Sequence, residues 1–273
     1  MEHQLAFTHF LNHYFGAAVT QFLLALHVHP ANPRAPMTNA FAMEILCVAL
    51  LLAFFLLVRS RLSVESPGPA QHMAEMYYEF VSNQAHDVIG HGSERFLPFV
   101  GALGLFILIC NLIGLIPGLD SPTGFVVVPL GLALPTFLYY NYHGVRENGL
   151  GKYLTHFFGP IPAMRPTEKP KTAMAKAMRP LLLLTVVGGS IFMFVIEIIS
   201  HTARILSLTV RLYANMFAGD MVTLVFFSLI PIGVPVIFLG LHLGVALVQA
   251  YVFMLLAMIY LSGATSHDET ASA

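Results

Sequence analysis

Glu197, Ser200, His201, Arg204, Ser207, Arg211 and Asn215 lie in one stretch, EIISHTARILSLTVRLYAN, that is otherwise as apolar as a membrane span. At about 100° per residue, the helical period, these seven side chains fall within roughly a third of the circumference. The remaining faces are mostly Ile, Leu and Val. A charge at mid-bilayer costs on the order of 3 kcal/mol on insertion scales, so such a stripe faces protein or a water-filled path.

Arginine keeps its proton at any physiological pH. Arg211 is therefore a fixed positive charge that attracts a passing carboxylate and repels a passing cation. Glu197 and His201 can exchange protons, as can Asp220, which lies further along and off the stripe. Asn215 orients water or a carboxylate without titrating. A permanent cation flanked by titratable groups suits a gated proton path, open to protons from either side and closed to a direct leak. Plainer readings stand beside this one. Arg204 suits a side chain snorkelling to the interface, His201 and His242 suit buried structural hydrogen bonds, and Asp220 suits a helix end. Arg211 resists such a reading, because largely apolar sequence continues well beyond it.

Helices must hold these residues, and the composition provides for them. The chain has 273 residues, is 57% hydrophobic and 10% charged, and has no Trp. Soluble domains carry about 25% charged residues, so the expected class is an all-α polytopic membrane protein. Apolar runs predict about five membrane helices, at 40–58, 96–117, 125–142, 181–220 and 236–261. The fourth would reach about 60 Å at 1.5 Å per residue, twice the ~30 Å hydrocarbon thickness. It must be strongly tilted, bent, or two helices. The mixed segment 71–92 is too polar to span and predicts an amphipathic surface helix. PIGVP (231–235) predicts a hairpin turn before the last span, on which His242 and Gln249 are seven apart and share a face with Tyr260. Such a hairpin would set His242 and Gln249 against the stripe. Gly240 with Gly244, and Ala214 with Ala218, are small pairs that permit close helix approach.

Cys47 and Cys110 lie in separate apolar runs and form neither a disulfide framework nor a metal site. Residues 1–38 hold five of the thirteen histidines and predict a helix at the membrane surface; their irregular spacing argues against a metal site. No Lys or Arg occurs in the first thirty residues, so a cleavable signal peptide is not expected and the mature chain begins near Met1. If the spans alternate, ten of the thirteen Lys and Arg residues fall on one side, seven of them in a basic loop at 144–179. The positive-inside rule then puts the N-terminus outside and the C-terminus in the cytoplasm. The expected organisation is an extracytoplasmic or interfacial segment 1–38, one membrane helical domain 39–262, and a polar cytoplasmic tail 263–273.

At SLTVRLYANMFAGD (207–220) the chain closely resembles subunit a of the F-type ATP synthase membrane sector. The family pattern there is an SL-x-x-R-L-x-G-N-M-x-A-G-acid run on the helix that faces a rotating ring of c subunits. The likeness extends to Glu197, to HLGVALVQAYVFMLLAMIYLS (242–262) and to NLIGLIPG (111–118), and covers most of 95–262. It implies that Arg211 is the essential arginine meeting each c-subunit carboxylate. It also implies that Asn215, Asp220, His242 and Gln249 line or abut aqueous half-channels. Glu197 and Arg204 match further polar positions of the family, and His201 is less regular. The last two helices would form a long tilted hairpin curving around the c-ring. Three departures stand out: Ala214 replaces the usual Gly, Asp220 replaces the commoner Glu, and Gly-Phe-Val-Val-Val follows Thr123 where polar sequence is usual.

The resemblance thus implies a proton-translocating stator subunit with no catalytic chemistry of its own and no cofactor. Its partners would be the c-subunit ring, peripheral-stalk b subunits, other ATP synthase subunits and the lipid bilayer, with no nucleic acid. Its place would be a bacterial-type inner (plasma) membrane. The competing reading is a stand-alone ion-coupled secondary transporter using the Glu197–Asn215 stripe, which would favour inverted repeats that the two halves do not show. A haem protein would need paired axial histidines inside the bundle, where only His201 and His242 lie well inside helices. No Gly-rich phosphate loop or HExxH motif occurs.

Overall fold

A computed structural model describes residues 5–30, 32–33, 35–116, 118–149, 151, 153, 173–229 and 233–265. Among these the regular structure is all helical, seven α-helices and short 3-10 turns joined by loops. They are α1 (Ala6–Ala25), α2 (Asn39–Ser60), α3 (Pro69–Ile89), α4 (Leu97–Ile113), α5 (Val127–Asn148), α6 (Ala173–Leu229) and α7 (Val234–Thr265). Four segments are long and apolar enough to cross a membrane: Asn39–Ser60, Ser93–Ile113, Gly188–Leu229 and Pro235–Thr265. The chain is a polytopic membrane protein. The remaining expected span is present as α5, whose Pro135, Asn141, His143 and Arg146 make it more polar than the other four.

Local chemistry sets the helix ends. Thr38 caps α2 by accepting a hydrogen bond from the Phe41 N–H at 3.3 Å, and Arg59 lies in the last turn, where the helix dipole favours a cation. α3 starts with Pro69 in its first turn, where no donor is lost, and is the amphipathic helix the sequence predicts. A 3-10 turn, Ser93–Phe96, leads into α4.

Two boundaries differ from expectation. The basic loop expected at 144–179 shrinks, because α5 runs on to Asn148 and α6 begins at Ala173. Hydropathy marks where lipid contact ends, whereas backbone hydrogen bonding continues through polar side chains. Most of the intervening loop, 154–172, lies outside the described residues, as do Pro231 and Ile232 of the expected hairpin turn and the tail from 266. The fourth expected span is one unbroken helix of 57 residues that ends at Leu229, not Asp220. Residues 221–229 stay apolar and contain no Gly or Pro to stop it.

The chain forms two compact units. The first comprises 1–132 and 208–259, the second 133–207 and 260–273. The first unit's core is built from Ala42, Met43 and Cys47 of α2, Val100, Ile107 and Cys110 of α4, Met216 of α6, and Ala246 and Met258 of α7, all fully buried. α1 is fastened to the start of α2 through Asn12, whose side chain both donates to the Met37 carbonyl (3.1 Å) and accepts from the Met37 N–H (3.0 Å). Among the described residues of the second unit, the largest buried side chain is Tyr140 of α5.

Candidate functional site

In the first unit, α6 carries Arg211, Asn215 and Asp220, all half-buried, with Leu212 and Met216 between them turned into the core. Asp220 meets His242 of α7, its Oδ1 lying 3.7 Å from Nδ1. Two glycines make this meeting possible. A Cβ on Gly219 would sit 3.0 Å from the His242 ring, and one on Gly124 would sit 3.1 Å from Asp220 Oδ2. His242 is 3% exposed, and its Nε2 is buried without a hydrogen-bond partner among the described residues. Beside the pair lies a cavity of about 790 Å³, bordered by Leu5, Asp120, Phe217, Asp220, Thr223 and His242. That volume admits many waters, and two carboxylates with an imidazole give them polar partners.

A buried polar cluster flanks the same region. Asn111 donates to the Ala246 carbonyl of α7 at 3.2 Å, and the Thr123 hydroxyl donates to Asn111 Oδ1 at 2.6 Å. Ser121 lies 2.8 Å from Thr123 and donates to the Cys110 carbonyl at 3.1 Å. These bonds tie the 121–124 turn to α4, and α4 to α7, and so fix the floor on which Gly124 approaches Asp220. Gln249 is half-buried two turns along α7 from His242.

The second unit holds the other titratable group. His201 of α6 sits with Nε2 3.2 Å from Glu197 Oε1, one turn back on the helix. Its Nδ1 lies 2.9 Å from the Tyr140 hydroxyl of α5. The Tyr140 and His201 rings stack at 15°, and Phe137 meets the same imidazole edge-on. Arg204 places its guanidinium 5.2 Å from the centre of the Tyr260 ring, a cation–π contact. Tyr153, outside the spans, donates to Asn141 Oδ1 at 2.6 Å; burial first, then the nearby Tyr140, pushes its phenol up to about 12. Ser207 is exposed.

The structure thus brings together Asp220 with His242, and Glu197 with His201, while Arg204 rests on Tyr260. A model of the family described as ATP synthase A chain matches residues 41–262. The chain belongs to that family. It is 51% identical over 267 residues to the ATP synthase subunit a of Koribacter versatilis, covering 98% of this chain and 99% of that one. It is 43% identical over 238 residues to the subunit a of Solibacter usitatus, covering 87% and 91% of the two chains. The subunit a of Aquifex aeolicus is 35% identical over 231 residues, covering 81% of this chain and 95% of its own. The family match begins inside α2, while the Koribacter versatilis likeness takes in nearly the whole chain, α1 included. As a family member the chain is an ATP synthase subunit of the membrane.

Sequence reasoning left out Tyr140, Asn111, Asp120, Ser121 and Thr123. Asn111 carried a signal: an amide inside ILICNLIG must find partners or bear the cost of desolvation. Tyr140 carried none, since tyrosines at 139, 140 and 142 look alike until the fold buries one.

Proposed function

We propose that this chain is the stator subunit of the ATP synthase membrane sector that passes protons to and from a ring of c subunits. Two half-channels do this, with Arg211 separating them. The observation that carries the reading is a single helix, α6, with a titratable cluster before Arg211 (Glu197 and His201) and another after it (Asp220 with His242). With the N-terminus outside and the C-terminus cytoplasmic, Asp220, His242 and the cavity belong to the outer half-channel. Glu197, His201 and Arg204 then line the inner one. A proton loads a ring carboxylate from the outer side, travels nearly a full rotation, and leaves on the inner side. Arg211 holds the deprotonated carboxylate between the two, with Asn215 and Gln249 as polar lining. Residues 39–262 act as one functional domain of a bacterial-type plasma-membrane protein.

Surface character supports a helical partner. Only 11% of the apolar window of Gly188–Leu229 is buried within the chain, against 50% for Ser93–Ile113. Ala214 and Ala218 are exposed on α6, and no atom stands within 4 Å of a Cβ on Gly240 or Gly244 of α7. Small exposed residues let another helix come close, as a ring of c subunits requires. Peripheral-stalk b subunits and the other ATP synthase subunits complete the partners. The membrane potential supplies about 2.3 kcal/mol per charge per 100 mV, so several protons are needed for each ATP.

The test is ATP-driven acidification of inverted membrane vesicles carrying Arg211→Ala, beside wild type and Arg204→Ala. Pumping is lost in Arg211→Ala with the complex assembled and ATP hydrolysis retained. Wild-type pumping in that variant overturns the reading, and failure in Arg204→Ala alone assigns the gate to the other arginine.

A further inference from the structure

We infer that Tyr140 is a positioning residue of the proton path: its hydroxyl fixes His201 in one tautomer and so presents an imidazole N–H to Glu197. The inference deepens the stator reading and rests on it. An ionised carboxylate only accepts hydrogen bonds, so the proton between Glu197 and His201 belongs to Nε2. A neutral imidazole then has a bare lone pair at Nδ1, and the Tyr140 hydroxyl, 2.9 Å away, donates into it. Hydroxyl, imidazole and carboxylate thereby point one way along a single chain of bonds. Both ends of the imidazole are engaged, and the stacked Tyr140 and edge-on Phe137 rings resist its turning. Glu197 is consequently held in one orientation, ready to take a proton from the path and return it, and no bond other than O–H or N–H changes.

The burial pattern fits this role. His201 is 8% exposed and Tyr140 2%, while Glu197 keeps 28% of its side chain accessible. The carboxylate is thus the member that meets a moving proton, and the tyrosine stands behind. Among the described residues, the other titratable or charged groups around His201 are Arg204 on its own helix, Tyr260 from α7, whose ring lies 5.8 Å from that of Tyr140, and Tyr153 after α5. A free imidazole with two tautomers would leave Glu197 facing a donor in one and a lone pair in the other.

Tyr140→Phe in the intact complex tests this, because it keeps the ring and removes only the hydroxyl. In inverted vesicles its ATP-driven acidification should fall about tenfold, since a lost hydrogen bond is worth up to about a factor of ten. The pH profile of pumping should be displaced by about one unit. Thr202→Ala, which removes an exposed hydroxyl bonded to the Ile198 carbonyl of the same helix, should leave rate and profile as in wild type. In a His201→Phe background, Tyr140→Phe should add no further loss. A wild-type profile in Tyr140→Phe, or additive losses in the double variant, overturns the inference. Should Tyr140→Phe fail to assemble, His201→Gln carries the test: its amide can accept from Tyr140 and donate to Glu197 at once, so a loss as deep as in His201→Phe overturns the inference equally. Arg211→Ala measured alongside separates the two proposals. Pumping there overturns the stator reading, whereas its loss beside an unshifted Tyr140→Phe profile removes only the role of Tyr140.

Discussion

Asp220 and His242 face one another across 3.7 Å beside a cavity of about 790 Å³. Glu197, His201 and Tyr140 stand 3.2 and 2.9 Å apart, with aromatic rings packed around the imidazole. Both clusters hold a carboxylate and a histidine, yet they solve the problem of an ionisable group in an apolar protein differently. In the first unit, open space is left for solvent, and the geometry between the pair is loose. In the second, protein groups supply the hydrogen bonds directly, and the geometry is tight. The first arrangement should tolerate changes of side-chain length and depend on charge. The second should depend on both.

Removing charge gives the largest effect and treats the clusters alike. Asp220→Asn and Glu197→Gln should each reduce ATP-driven proton pumping by about 100-fold, the usual scale for losing a positioned proton-transfer group. Full activity in either removes that carboxylate from the path. Changing length while keeping charge sharpens the contrast. Glu197→Asp withdraws the carboxylate by one methylene from a 3.2 Å contact and should cost about tenfold, the loss of one good hydrogen bond. Asp220→Glu extends towards the cavity and should stay within about twofold of wild type, because the open space beside the pair takes the added methylene. Equal losses in the two length variants would erase the distinction between a solvated and a wired site. The smallest effect belongs to Ser207→Ala. Ser207 is exposed, so pumping should change by less than about twofold, as surface substitutions usually do.

Much of this was legible in the chain itself because apolar runs and helical period are local properties. The four apolar spans, the amphipathic α3 and the Arg211 stripe all follow from them. His242 against the α6 helix follows from two polar-striped helices joined by a short turn, although the residue it meets, Asp220, lies off the stripe. Helix ends were less legible: α6 outruns the apolar stretch at its start and α5 at its finish, since hydrogen bonding does not stop where hydropathy does. The partners brought by tertiary packing were not legible at all. Tyr140 reaches His201 across 61 residues of sequence, and Asn111 reaches Ala246 across 135. No spacing rule links positions so far apart. Only the isolated amide of Asn111, expensive to bury alone, advertised that a partner existed.

The central claim is that the two clusters open to opposite faces of the membrane. Cysteines introduced one at a time at Asp220 and Glu197 test it most directly, with a membrane-impermeant thiol reagent applied to right-side-out and inverted vesicles. The native Cys47 and Cys110 are fully buried and should stay silent. The account predicts that Asp220→Cys reacts from the outside and Glu197→Cys from the cytoplasmic side. Labelling of both from the same face would contradict it.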